Sequence, residues 1–161
     1  MRDEKFEQLY AEHAQGLLSF LSYRTGDRTL AEDVMADTFE RVLKARRRFD
    51  PRRGSAKTWI YSIALNLLRD QIRRSAAEQR AIERTGADVA SGPDPIGRAD
   101  DRDAVMGALP RLSSEERETV ALRFGADLTV PEIAKVTGER LTTVEGRLYR
   151  GLRKLRDVLD D

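Results

Sequence analysis

AEDVMADTFERVLKARRRFDPRRGSAKTWIYSIALNLLRDQIRR, residues 31–74, reads as two amphipathic helices around one short break. In the first, Leu30, Val34, Phe39, Val42 and Leu43 recur at helical spacing over residues 29–45. The break, Phe49 to Ser55, holds Pro51 and Gly54, the residues that loops use. The second helix runs from about Ser55 to Arg74. Its expected apolar face is Ile60, Ile63, Ala64, Leu67 and Ile72, and its opposite face Ser62, Asn66, Arg69 and Arg73. On the N-terminal side, Phe6, Leu9, Tyr10, Leu17, Leu18 and Leu21 predict one more helix over residues 4–23. No stretch sustains the alternation of a half-buried strand, so the predicted fold class is all-α.

On the C-terminal side the periodicity fades after Arg74. Residues 85–103, TGADVASGPDPIGRADDRD, offer almost nothing to bury and predict a flexible acidic linker. A second helical unit follows. Three helix starts are expected from capping boxes: Ser113 with Glu116, Thr129 with Glu132, and Thr142 with Glu145. Between the last two lies Gly138, so VPEIAKV, TGERL and TTVEGRLYRGLRKL (residues 130–155) read as helix, tight turn, helix. Helix-turn-helix units of this kind read DNA. In the last helix Val144, Leu148, Leu152 and Leu155 are the expected buried stripe. Thr143, Arg147, Arg150 and Lys154 fall on another face, a basic row that suits a major groove in preference to an ordinary solvated face, because the turn and the charge coincide. Two small helical domains joined by a flexible linker are thus expected: residues 1–75, a linker over 76–103, and residues 104–161.

The net charge of +1 conceals segregation. Residues 1–40 hold four Lys/Arg against nine Asp/Glu, residues 41–74 eleven against two, and residues 140–156 six against one. Two basic blocks set in acidic sequence suggest two phosphate-binding surfaces, hence nucleic acid. The chain has no Cys and one His, His13, which argues against thiolate or ordinary zinc sites and Ser-His-Asp chemistry. Neither a catalytic site nor a metal nor a cofactor is expected. No apolar run approaches the ~18 residues of a membrane span, and MRDEKFEQLY lacks the apolar core of a signal peptide. A cytoplasmic protein without membrane insertion is the expectation.

The motifs AED…F over residues 31–39, RFDPRRGSAKTWI over 48–60 and IALN at 63–66, with the helix-turn-helix at 128–156, resemble one family: the extracytoplasmic-function (ECF) group of sigma-70 factors. The first segments are similar to its region 2 and the last to its region 4. The resemblance implies a sigma factor that carries core RNA polymerase to promoters and promotes melting of the DNA. It implies polymerase contacts at Asp33, Asp37, Glu40 and Arg41. It implies contacts to the melted −10 element from Phe49, Lys57, Trp59, Tyr61, Asn66, Arg69 and Arg73. For the duplex −35 element it implies Thr142, Thr143, Glu145, Arg147, Arg150 and Lys154. Arg147 is the expected reader, because Arg grips guanine bidentately. Trp59 is either a core anchor or a stacking platform. The stretch Glu145-Gly146-Arg147 departs from the family's usual residues here; Glu145 is either the capping acid or an acceptor for a cytosine amino group. Members of this group are commonly held inactive by an anti-sigma protein, which adds a third partner to polymerase and promoter DNA. The competing reading, a stand-alone helix-turn-helix regulator, would dimerise on a palindromic site and leaves residues 46–74 without a role.

Overall fold

Four apolar positions, Leu9, Leu17, Phe20 and Leu21, set the first helix, α1 (Asp3–Thr25), with its buried edge inward. A computed structural model describes residues 3–85, 104–105 and 107–160 of the chain, and no strand occurs among them. Gly26, at φ 69°, ends α1 in the left-handed conformation that glycine adopts without strain. Asp27 then caps α2 (Arg28–Ala45) through its Oδ1, which accepts the Leu30 N–H at 3.2 Å. The two helices pack as a hairpin and bury Ala31, Val34, Thr38, Phe39 and Val42 of α2. Phe39 meets Tyr10 and Phe6 edge-on at 4.8 and 6.4 Å.

A 3-10 turn (Arg46–Arg48) and the Asp50 turn lead into α3 (Ala56–Thr85), capped by Ser55, whose Oγ accepts the Thr58 N–H at 3.1 Å. The buried stripe of α3 is Ile60, Tyr61, Ala64, Leu65 and Leu68. This corrects the expected face: Ile63, Leu67 and Ile72 are only partly buried, because α3 packs on α2 at one side and on the C-terminal unit at another. The helix also runs eleven residues past Arg74, to Thr85. That extension, SAAEQRAIERT, is exposed almost throughout. Ala, Glu, Gln and Arg favour helix by propensity alone, which a search for an apolar stripe overlooks. Residues 76–85 of the expected linker are therefore helix, and residues 86–103 lie outside the described residues.

The C-terminal unit begins with a 3-10 turn (Leu109–Arg111), whose carbonyls accept the Arg117 guanidinium. Helix α4 (Ser114–Val120) opens with the expected Ser113–Glu116 capping box and runs on into a π-helical turn (Ala121–Gly125). Helix α5 (Val130–Thr137) opens with the Thr129–Glu132 box and ends at Gly138, φ 72°. Helix α6 (Leu141–Leu159) follows, capped by Arg140 without a side-chain bond. The third box is thus not formed: α6 starts at Leu141, ahead of Thr142, and Glu145 is left exposed.

The two helical units share one continuous apolar cluster. It contains Leu17, Phe20, Leu21, Tyr61 and Leu65 from the first and Leu122, Leu128, Ile133 and Val136 from the second. A smaller cluster, Ala108, Leu109, Leu112, Val120 and Leu155, belongs to the second unit.

Candidate polymerase and nucleic-acid interfaces

Burying one edge of α2 puts the remaining edge in solvent. Asp33, Asp37, Glu40 and Arg41, four, three and one residues apart, all fall there and are all exposed. Lys44 donates to Glu40 at 2.8 Å, and this hydrogen bond holds the Glu40 carboxyl below its ordinary value. Leu43, an exposed apolar side chain, borders the same edge.

The loop before α3 and the start of that helix enclose a groove of about 270 Å³ that includes Phe49, Asp50, Gly54 and Trp59. The rings of Phe49 and Trp59 stand 5.0 Å apart, tilted by 38°. Trp59 is half-buried, packed on the core at one side and on Phe49 at the other. Asp50 orders the loop by accepting from the Arg52 N–H at 3.0 Å and from the Arg52 guanidinium. Asn66, Arg69 and Arg73 follow one edge of α3 and line a second, larger cavity of about 710 Å³ between the two units. Lys57 stands apart from both sets and donates to the Asp127 carbonyl at 3.4 Å. Tyr61 departs from expectation: it is 1% exposed, edge-on to Phe20 at 5.9 Å, and burial pushes its hydroxyl far above the ordinary value. It is a core residue in this arrangement and presents no ring to a base. The resemblance implies a contact from it to the melted strand, but it lies on one stripe with Leu65 and Leu68, which the core buries.

On α6, Val144 and Leu155 are buried as expected, whereas Leu152 is 40% exposed. Gly151 takes the inward place: a Cβ there would stand 2.8 Å from Val120 Cγ2, so glycine lets α4 and α6 approach closely. The basic row is engaged within the chain. Arg147 faces Glu139 at 3.4 Å, Arg150 faces Glu116 at 3.7 Å, and Lys154 donates to Glu116 at 2.6 Å. Thr142 and Glu145 are exposed and Thr143 is half-buried.

Glu116 was invisible as anything but a capping acid, yet it also fastens α6. One carboxyl accepts from the Ser113 N–H and from Lys154. The Lys154 bond, with the Ser113 N–H second, holds its carboxyl below the ordinary carboxylate value. A depressed carboxyl stabilises above its unfolded pKa, and that gain is lost as pH falls through the folded value. Glu116→Gln is therefore expected to cost about 1–2 kcal/mol near neutral pH, allowing for the half-exposed Lys154. Thermal melts should show the variant and the unmodified protein converging as the pH is lowered below the ordinary carboxylate range. A gap that stays constant into acid would remove the ionic part of this account.

Other structural residues escaped the sequence reading. Arg24, 7% exposed, donates to Ser114 Oγ at 2.9 Å and faces Glu118 at 3.8 Å. Glu118 in turn accepts from Arg69 at 2.9 Å. No local pattern marks a contact between residues this far apart in the chain.

Comparisons with known proteins agree with this arrangement. Residues 9–78 match the family model of Sigma-70 region 2, and residues 102–155 that of Sigma-70 region 4. The chain is 31% identical over 156 residues to the ECF RNA polymerase sigma factor SigL of Mycobacterium tuberculosis, covering 95% of this chain and 88% of that protein. It is 30% identical over 160 residues to the RNA polymerase sigma factor CarQ of Myxococcus xanthus, covering 98% and 91%. Among solved structures, its fold is similar to sigma factor RpoE in complex with the anti-sigma factor NepR from Bartonella quintana (TM-score 0.81, 24% identity, 98% of each chain). It is also similar to CnrH in complex with the cytosolic domain of CnrY (TM-score 0.72, 28% identity, 99% of this chain and 90% of that one). A match to region 2 through residue 78 leaves the stand-alone helix-turn-helix regulator disfavoured. No helix among the described residues is long and apolar enough to cross a membrane. With both regions matched and relatives aligned along nearly the whole length, the chain belongs to the ECF group of the sigma-70 family and is an RNA polymerase sigma factor.

Proposed function

We propose that the work of this sigma factor is divided among three side-chain sets. The exposed edge of α2, Asp33, Asp37, Glu40 and Arg41, docks on core polymerase. Phe49, Trp59, Asn66, Arg69 and Arg73, with Lys57 at their margin, hold the melted −10 strand. Thr142, Thr143, Glu145, Arg147, Arg150 and Lys154 face the −35 duplex. The protein acts in the cytoplasm and supplies specificity, while polymerase supplies the chemistry. RpoE of Bartonella quintana is held in complex with the anti-sigma factor NepR, and CnrH with the cytosolic domain of CnrY; these likenesses support an anti-sigma protein as a further partner here.

The observation that carries the reading is the row Asn66, Arg69, Arg73 on one edge of α3. An unstacked base costs a few kcal/mol to expose, recovered by stacking and by hydrogen bonds to its edge. Asn66 offers both a donor and an acceptor for such an edge, and it is exposed in the middle of a helix, where Asn has little propensity to recommend it. Run-off transcription with purified core polymerase tests the whole reading. Within it, Asn66→Ala should leave duplex promoter binding by the holoenzyme nearly unchanged. It should reduce permanganate-detected melting and transcript several-fold, the effect of one or two hydrogen bonds at about 0.5–1.5 kcal/mol each. It should also flatten the preference at one −10 position. Unaltered melting and base preference would refute the assignment.

A further inference from the structure

Gly146 stands inside α6, where glycine is among the weakest helix formers. Its neighbours Gly138 and Gly151 have packing reasons: one takes a positive φ and ends α5, the other lets α4 come close. Gly146 has a different one. The three atoms nearest to a Cβ added there all belong to the Arg150 guanidinium, Nη1 at 3.1 Å and Cζ and Nη2 at 3.7 Å. The missing side chain leaves a seat in which that guanidinium lies back along its own helix.

A second element holds the same group from the side. Glu116 of α4 is 5% exposed, and one of its oxygens is fixed twice: Oε1 accepts from the Ser113 N–H at 2.9 Å and from Lys154 Nζ at 2.6 Å. Oε2 is left to face Arg150 Nε at 3.7 Å, an ion pair longer than a hydrogen bond. The Arg150 side chain is nevertheless 59% exposed. No acceptor among the described residues takes a hydrogen bond from its Nη1 or Nη2. Arg147 is the contrast. Its side chain is 22% exposed, and its Nη1 already stands 3.4 Å from Glu139 Oε1.

We propose that Glu116 and Gly146 are positioning residues for −35 readout: together they orient the Arg150 guanidinium toward one base edge, and so set the preference at one −35 position without touching DNA themselves. The proposal rests on the assignment of α6 to the −35 duplex. Gripping O6 and N7 of guanine needs two N–H groups in the plane of the base. An unsupported arginine samples many rotamers and loses that freedom on binding. A seat under the guanidinium and an anchor at Nε remove much of that loss in advance. A phosphate contact carries no sequence information and gains little from a fixed plane. All three residues belong to the C-terminal unit, so the device does not depend on how that unit sits on the first.

Selection from a random double-stranded DNA library by the holoenzyme, assembled from purified core polymerase and the full-length protein, tests this. The enriched sequences give the base preference at each position of the upstream element. The unmodified protein should prefer guanine at one position by about 5- to 150-fold, the discrimination of one bidentate arginine. Arg150→Ala should abolish that preference and leave the other positions as they were. Gly146→Ala should cut it severalfold while raising the melting temperature, because alanine favours helix over glycine and the only group displaced is the far end of a flexible side chain. A more stable protein that reads DNA less well is not explained by structural damage. Glu116→Gln should flatten the same position. Ser113→Ala is the structural control: it removes the cap hydroxyl of α4 but keeps the backbone N–H that holds Glu116, so it should lower the melting temperature and leave the motif unchanged.

Adding Gly146→Ala to Arg150→Ala should change nothing further, since both act through one group. A further loss in the double variant, uniform across sequences, would mean that a side chain at 146 merely obstructs the duplex, and it overturns the proposal. So does an unchanged preference in Gly146→Ala or in Glu116→Gln. If Arg147→Ala alters the motif and Arg150→Ala does not, the proposal falls and the −35 assignment of α6 stands. If neither alters it, the assignment itself has failed.

Discussion

Phe20→Ala is expected to lower stability by about 3–5 kcal/mol, the range for emptying a large aromatic site in a core. Phe20 is fully buried, edge-on to Tyr61, and its backbone is the seat of Gly125. Truncation removes the ring from Tyr61 of α3 and from the centre of the apolar cluster that both units share. The surrounding helices are fixed by their own caps, at Asp27, Ser55 and Ser113, so they collapse poorly into the void. Domains of this size hold only about 5–15 kcal/mol in total, so the variant should melt well below the unmodified protein in urea or heat. Phe124 is the control. It is the same residue type, 59% exposed, with Arg123 over its ring at 5.5 Å. Phe124→Ala should cost under about 1 kcal/mol. Equal costs for the two would mean that Phe20 is not packed as described.

The second large effect falls on binding. Asp37→Lys combined with Glu40→Lys should weaken association with core polymerase by about 10- to 100-fold, since like charges facing each other across an interface cost several kcal/mol. Both side chains are exposed, so the fold should survive; the internal penalties are two new like-charge pairs at i,i+4, position 40 with Lys44 and position 37 with Arg41, both in solvent. Fluorescence titration of core polymerase measures the affinity and a melting curve checks the fold. The deficit should narrow as salt is raised, because exposed charges are screened within a Debye length. Unaltered affinity would remove α2 from the docking surface.

How much of this was legible in the sequence differs from one element to the next. Hydrophobic spacing located α1, α2 and the start of α3, and two of three capping boxes marked helix starts as read. These are local properties: a helix start depends on residues three apart, and a buried stripe on residues three and four apart. The exposed edge of α2 follows from the same arithmetic, since whatever is not buried on an isolated hairpin faces solvent. Where a helix has two neighbours, the arithmetic fails. α3 packs on α2 and on α5, which rotates its buried stripe toward Tyr61, Leu65 and Leu68. The same cause turns Tyr61 inward and leaves Leu152 out, because Gly151 lets α4 come close enough to fill the space.

The sequence by itself determined the all-helical class, the basic blocks, the helix-turn-helix and the family resemblance, because each depends on composition or on spacing within a single helix. The tertiary structure alone decided which charges meet. Arg24 and Ser114 are ninety residues apart, Arg69 and Glu118 forty-nine, and Lys154 and Glu116 thirty-eight. Pairings over such separations leave no periodic trace, since an exposed Glu and a Glu set to bridge two units look alike until the chain closes. Charge alone pointed to two DNA-binding surfaces; only the packing of the second unit on the first shows those charges already matched within the molecule.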